Sequence, residues 1–488
     1  MKFKEELKLL IKSRYSLIWI ETQDEDYVTS NITEVSSGYK LYFWSVTKGL
    51  WVGGSSDSFY DSNEPIKALK LIADIIKDSS DALFVLYDID KYFDKPIIVR
   101  YIKDILSNIK NNSVTLIGIS PNPLNIKDFD NYVSKITGAF PSEEEIVNIV
   151  NSEISNFLKS SDLRIYLDRR QSKRFIEALK GLTEKQIRNI VLRCLVDDFK
   201  IDVSDISKVE KVKKEIFDRS GFLEYYEGEV AEDIAGFNNL KKWIYDRKKI
   251  IDSDSKINIP SPKGVLLTGI PGCGKSLSAK VIGKILEYPI YRFDPSSVYS
   301  KYIGESEENV RKIFETIDRL SPVCLWIDEI EKIFFTDDSS SDAGVSKRIF
   351  SMFLVWFGER KNKTFVVATS NNIEKLPPEF IRKGRFDEIF FSDLPDFNER
   401  MEIFKIHFRK RGINYSGFDL KKLSELTEGF SGSEIEQAVL SSVYSASLNV
   451  GFESVVSEIK KTTPLSVIKN SEFEAMRKWA LSRNIPKV

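Results

Sequence analysis

One stretch limits what this chain can fold into more than any other: Gly269-Ile270-Pro271-Gly272-Cys273-Gly274-Lys275-Ser276. It follows an apolar run, GVLLTGI (264–270), and leads through Leu277 into a segment with helical spacing. A strand, a glycine-rich turn and a helix start carrying Lys-Ser form the context of a phosphate-holding loop. Gly269, Gly272 and Gly274 let backbone N–H groups converge on phosphate oxygens without Cβ clashes. The helix N-terminus adds its partial positive charge. Lys275 is expected to meet the β- and γ-phosphates, and Ser276 to ligate Mg2+ through its hydroxyl. The same context places this part of the chain in the α/β class.

The chain has 488 residues, too long for one core, and a length prior suggests roughly three domains. Its 72 basic and 73 acidic side chains leave a formal net charge of -1, which gives no global footprint for nucleic acid or an anionic membrane. The single histidine, His407, excludes a two-histidine metalloprotease. Cys194, Cys273 and Cys324 have no C-x-x-C spacing, which argues against a zinc site and suits a reducing compartment. No apolar run approaches the ~18–20 residues that span a bilayer, and the N-terminus lacks a signal-peptide pattern. The protein is expected to be soluble and to work where it is made.

Along the chain an α/β pattern appears twice. Residues 1–140 alternate apolar runs, SLIWIE (16–21), LYFWSV (41–46), ALFVLYDID (82–90) and VTLIGIS (114–120), with helical stretches. Such runs read as a parallel sheet covered on both faces. Residues 141–225 read as helical, with Ser142 capping the first helix and a linker over 218–237. The α/β pattern restarts over 226–396, and 397–488 is helical again. GLTEKQIRNIV (181–191) and GFSGSEIEQAV (429–439) share a glycine, a cap and a helix start. They are either an internal duplication or two unrelated helices with common capping chemistry. TDDSSSDAG (336–344) is expected to be a mobile loop.

Three further constellations bear on what happens to the phosphate. VCLWIDEI (323–330) sets Asp328 and Glu329 at the end of an apolar strand. Asp328 suits a Mg2+ shell, and Glu329 suits polarising a water. In VVATSNN, Asn371 is placed to hold that water. Arg382 and Arg385 flank a glycine in IRKGRFDEIFF, either as a solvated basic turn or as arginine fingers reaching a neighbouring subunit.

Together these residues resemble the AAA ATPase family of P-loop ATPases, with its Walker A and Walker B motifs. The resemblance covers about 230–450, through DIAGFNNLKKWI, GIPGCGKS, LWIDEIEKIF, VVATSNN, LPPEFIRKGRFDEIFF and EGFSGSEIEQA. Over its whole length the chain resembles the hypothetical chloroplast reading frame 46 family of plastids and cyanobacteria. The resemblance implies a parallel sheet between helices with a helical lid, and ATP with Mg2+ as cofactors. It implies a homohexameric ring that remodels a protein client, with nucleic acid not expected as a partner. Ile234, Ala235 and Gly236 would pack on adenine, His407 would lie near the base, and Gly432 and Ser433 would form the lid turn. Tyr302, Ile303 and Gly304 of KYIGESEENV would be the pore loop. It also implies a plastid stroma or a bacterial cytoplasm as the site of action.

Two departures stand out. Cys273 occupies a position where the family has threonine, and Lys275 with the helix N-terminus is expected to lower its thiol pKa. It is either a weak redox sensor or a small side chain. In the first half, ETQDED follows SLIWI without a glycine and with four carboxylates. That half reads as a degenerate AAA-like domain that repels phosphate and serves recruitment or assembly. The competing whole-chain reading is a slow nucleotide-gated switch whose first half recruits partners.

Overall fold

The structure, a computed structural model, describes residues 3–78, 81–109, 113–124, 126–137, 139–158, 164–165, 167–198, 200–218, 223–226, 234–251, 260–298, 305–333, 343–360, 363–382, 384–446 and 450–488. The chain divides into two compact units, Met1–Val212 and Lys213–Val488.

The first unit is built on β1 (Leu17–Glu21), β2 (Lys40–Ser45), β3 (Gly49–Val52), β4 (Asp81–Tyr87), β5 (Ser113–Ser120) and β6 (Val133–Thr137), in the order β3-β2-β4-β5-β1-β6. All neighbours are parallel except the β2–β3 hairpin. Apolar runs without alternation bury both faces, so each face has its own core. Trp19, Phe84 and Leu116 pack with the helices Pro65–Asp78 and Pro96–Asn108 on one face. Ile18, Ile20 and Val85 pack with Leu7, Val28 and Ile32 on the other. The helices Glu143–Leu158, Arg169–Leu179 and Glu184–Asp198 follow, with a small pair formed by β7 (Arg164–Ile165) and β8 (Lys200–Ile201).

The second unit has β9 (Leu223–Tyr226), β10 (Gly264–Gly269), β11 (Ile290–Phe293), β12 (Val323–Ile327), β13 (Thr364–Ser370) and β14 (Glu388–Ser392), in the order β14-β10-β13-β12-β11-β9. Only β9 is antiparallel. Numbered in chain order within each unit, the parallel strands of both sheets run fifth, first, fourth, third, second. The helical part that follows closes around Phe404, Phe408, Leu423, Ile435 and Val455. Each such side chain contributes about 1.5–3 kcal/mol when fully buried.

The echo between the helical parts is structural. Gly181 and Gly429 adopt φ of 79° and 80°. Leu182 and Phe430 are buried behind them. Thr183 and Gln186 cap one helix reciprocally, at 2.9 and 3.3 Å, as Ser431 and Glu434 cap the other. Asp88 after β4 and Glu329 after β12 both take a left-handed φ, 53° and 50°, before a 3-10 turn. The stretch 218–237, read from sequence as linker, contains β9. Short strands such as β3, β9 and β11 pair at or near a sheet edge and carry too few apolar residues to stand out in the sequence. The segment 336–342 of the expected mobile loop lies outside the described residues.

Candidate active site

β10 is buried along its whole length and ends at Gly269, φ 131°, where a Cβ would stand 2.1 Å from the Ser392 carbonyl oxygen. Only glycine allows β14 to approach there. Gly272 and Gly274 follow at φ 76° and 80°, and Gly274 caps the helix Lys275–Leu286. The loop thereby opens onto a cavity of about 530 Å³. Lys275 is buried beneath it, with its Nζ donating to the carbonyls of Gly269 and Ile270 at 2.8 and 2.9 Å. Burial pushes its ammonium down to about 8. An anion in the loop would offer that ammonium a full charge in place of two carbonyl dipoles.

Across the cavity, Asp328 follows β12. Its Oδ1 accepts from the Thr369 hydroxyl at 2.7 Å and from the Ser276 hydroxyl at 3.3 Å. Its Oδ2 receives Arg292 Nη2 at 3.1 Å. Glu329 is turned the other way by its left-handed backbone, with its N–H on Thr369 Oγ1 at 3.0 Å. Asn371 Nδ2 donates to Glu329 Oε1 at 2.7 Å, and Asn371 N–H donates to Glu331 at 2.9 Å. The two neighbouring carboxylates therefore have separate partners. One faces the loop serine and the other faces an amide. A serine hydroxyl and a carboxylate beside an anion cradle form the donor set that Mg2+ takes with a nucleotide's phosphates. The residues fit that group.

The lid closes on the loop through Ser433, whose N–H and hydroxyl both donate to the Gly272 carbonyl, at 3.0 and 3.3 Å. His407 lies in the same wall, with Nδ1 3.1 Å from Arg411 Nη1 and 3.5 Å from Glu436. Burial lowers its pKa. Of the residues singled out from sequence, Ile234, Ala235, Pro271, Gly272, Cys273, Gly274, Lys275, Ser276, Leu277, Asp328, Glu329, Asn371, His407, Gly432 and Ser433 line the cavity. Gly236 turns the chain behind it at φ 67°, where a Cβ would meet Glu399. Gly269 and Ile270 shape the loop from beneath.

Arg382 and Arg385 do not line this cavity. Arg382 is exposed. Arg385 is half-buried and its guanidinium donates to the Leu354 carbonyl. Tyr302, Ile303 and Gly304 lie outside the described residues.

Cys273 corrects the sequence reading. It is buried, packed with Ile270 and Phe473, and burial pushes its thiol up to about 12. Desolvation of the thiolate outweighs the attraction of Lys275. Phe237, Thr369 and Val488 also line the cavity and were not singled out. Thr369 stood two residues before Asn371, and its alternation with Asn371 along the strand end was the available signal. Nothing local marks Val488, which reaches the cavity because residues 486–488 pair alongside β14 at Phe391.

The first unit answers the same geometry differently. β1 passes through Thr22, Gln23 and Asp24 straight into the helix Glu25–Val35. Asp24 is buried at the helix N-terminus, where its carboxylate accepts from the N–H groups of Tyr27 and Lys185, each at 3.4 Å. Lys185 occupies the lid position that Ser433 has in the second unit. A carboxylate thus stands where the second unit keeps an anion cradle, and it would repel phosphate.

Known proteins match this division. Residues 265–394 fit the family model of the ATPase family associated with various cellular activities (AAA). Residues 3–128 fit the SpoVK-like AAA ATPase N-terminal domain, and 144–220 fit the SpoVK-like AAA ATPase second domain. The AAA domain-containing protein ycf46 of Trieres chinensis is 35% identical over 99% of this chain and 98% of its own length. That of Pyropia yezoensis is 35% identical over 98% of each. The proteasome-activating nucleotidase of Pyrococcus furiosus is 34% identical over 42% of this chain and 53% of its own. With relatives this similar along nearly their whole length, the chain belongs to the AAA ATPase family, in the group of ycf46 AAA domain proteins.

Proposed function

We propose that the second unit binds ATP with Mg2+ and hydrolyses it. The observation that carries this reading is the split between the two carboxylates, with Asp328 on Ser276 and Thr369 and Glu329 on Asn371. A site that only held a nucleotide would need no second, separately aimed carboxylate. Lys275 and the loop N–H groups hold the β- and γ-phosphates. Ser276 and Asp328 would hold Mg2+, which supplies neutralisation of charge developing on the phosphates. Glu329 accepts a proton from the attacking water, and Asn371 orients that carboxylate. Ile234 and Ala235, with His407 in the lid wall, receive the base, and Gly236 turns the chain behind them. Gly432 and Ser433 couple lid closure to the loop.

Arg382 and Arg385 lie away from their own chain's cavity, which supports a role in a neighbour's site and a ring, read here as a homohexamer. The likeness to a proteasome-activating nucleotidase supports work on a protein client, gripped by Tyr302, Ile303 and Gly304. The competing reading is a nucleotide-gated switch, favoured by one observation: the first unit carries Asp24 in place of a phosphate loop and is free to recruit partners. Among the described residues no helix is long and apolar enough to cross a membrane; the likeness to ycf46 proteins supports action in the plastid stroma or the bacterial cytoplasm.

A Glu329→Gln chain tests this. It should bind ATP, lose hydrolysis by at least about 100-fold, hold the oligomer and retain a protein client. Nucleotide-dependent assembly without a retained client would favour the switch. Near-normal turnover in a monomer would sink the ring mechanism.

A further inference from the structure

Arg292 belongs to none of the motifs read from the sequence, yet its guanidinium joins the metal-side carboxylate to the edge strand. Nη2 lies 3.1 Å from Asp328 Oδ2, and Nη1 lies 3.2 Å from Glu224 Oε2 on β9. The register explains the placement. Arg292 of β11 sits directly opposite Glu224 of β9 on one side and Trp326 of β12 on the other, so all three project from one face. The guanidinium carbon lies 5.2 Å over the Trp326 ring. Glu224 is also met by the Tyr226 hydroxyl at 3.3 Å, and the Tyr226 ring packs edge-on against Trp326.

We infer that Arg292 and Glu224 are positioning residues that set how tightly the ATPase centre holds Mg2+. Arg292 is an internal cation on one oxygen of Asp328, in competition with a divalent cation beside the other. Glu224 draws that guanidinium toward β9 and weakens the competition. The side chains of Arg292 and Asp328 are 25% and 20% exposed, so their pairing is only partly screened. Glu224 is 62% exposed, so its influence is the weaker of the two. β9 is the first strand of the second unit, and its seating on β11 therefore bears on metal affinity. The inference rests on the reading of Asp328 as the metal-side carboxylate.

The two charges have opposite expected effects, which a packing role would not produce. Full-length chains carrying Arg292→Gln, Glu224→Gln or both are titrated with Mg2+ at a fixed concentration of a fluorescent ATP analogue, and nucleotide binding is read by anisotropy. Half-saturating Mg2+ should fall roughly threefold or more in Arg292→Gln and rise by a smaller factor in Glu224→Gln. The double variant should return toward the parent value, and Arg292→Lys, which keeps the charge, should stay near it. Shifts in the same direction, or none, overturn the inference. If Arg292→Gln does not fold, the exposed Glu224→Gln still decides: no rise overturns the inference. A parent chain whose nucleotide binding ignores Mg2+ would instead overturn the reading of Asp328 as the metal-side carboxylate.

Discussion

Cys273 sits inside the phosphate loop, two residues before a lysine, and sequence proximity makes it look activated. Its surroundings reverse that. Ile270 and Phe473 enclose the sulfur, and an ionised thiol there would lose its hydration with no adequate partner. With the thiol held near 12, almost none of it is thiolate at neutral pH. Iodoacetamide should label Cys273 in the native chain far more slowly than a free thiol, as mass spectrometry of timed samples would show. Cys273→Ser should leave the ATPase response to mild hydrogen peroxide unchanged. Fast labelling, or an oxidant sensitivity that the serine variant removes, would restore the sensor reading. The placement of Asp328 and Glu329 on different partners, by contrast, was legible because adjacent residues at a strand end diverge. The left-handed φ of Glu329 then decides how far.

Among the elements, the pair of strand–helix junctions after β1 and β10 shows one topology with two chemistries. In the second unit the junction is long and glycine-rich, and the lid donates to the backbone of Gly272. In the first it is short, and the Asp24 carboxylate caps the helix and receives the lid itself. An N-cap aspartate contributes about 1 kcal/mol, so Asp24→Ala should destabilise the first unit by about that much. The readout is the denaturant midpoint of the full-length chain. An unchanged midpoint would show that water replaces the carboxylate without loss. The absence of glycine in ETQDED announced a missing phosphate loop. It did not announce that a carboxylate holds the lid, because Lys185 meets Asp24 across 161 residues of chain.

Over the whole molecule, two units share a strand order while one of them keeps an anion cradle. A ligand that binds only the native second unit stabilises it by RT ln(1 + [L]/Kd), about 2.7 kcal/mol at 100 times Kd. Calorimetry of the full-length chain should therefore show saturating Mg2+ with a non-hydrolysable ATP analogue raising the melting of one unit and leaving the other in place. Equal shifts in both would place a second nucleotide site in the first unit. Chelating Mg2+ should shrink the shift.

The sequence by itself determined what is local. The strand–loop–helix at Gly269–Leu277, the carboxylates after β12, the capping boxes and the central buried strands all follow from contiguous residues with short-range chemistry. Long apolar runs announced β1, β2, β4, β5, β10 and β12, because a strand buried on both faces needs little context to be recognised. The tertiary structure decided what depends on distant partners. Burial of Cys273 needs Phe473, the Val488 wall needs pairing alongside β14, and the Arg292 bridge needs the register of β9 on β11. Desolvation and cross-strand charge pairing are set by what packs against a residue, and here the partners come from far along the chain.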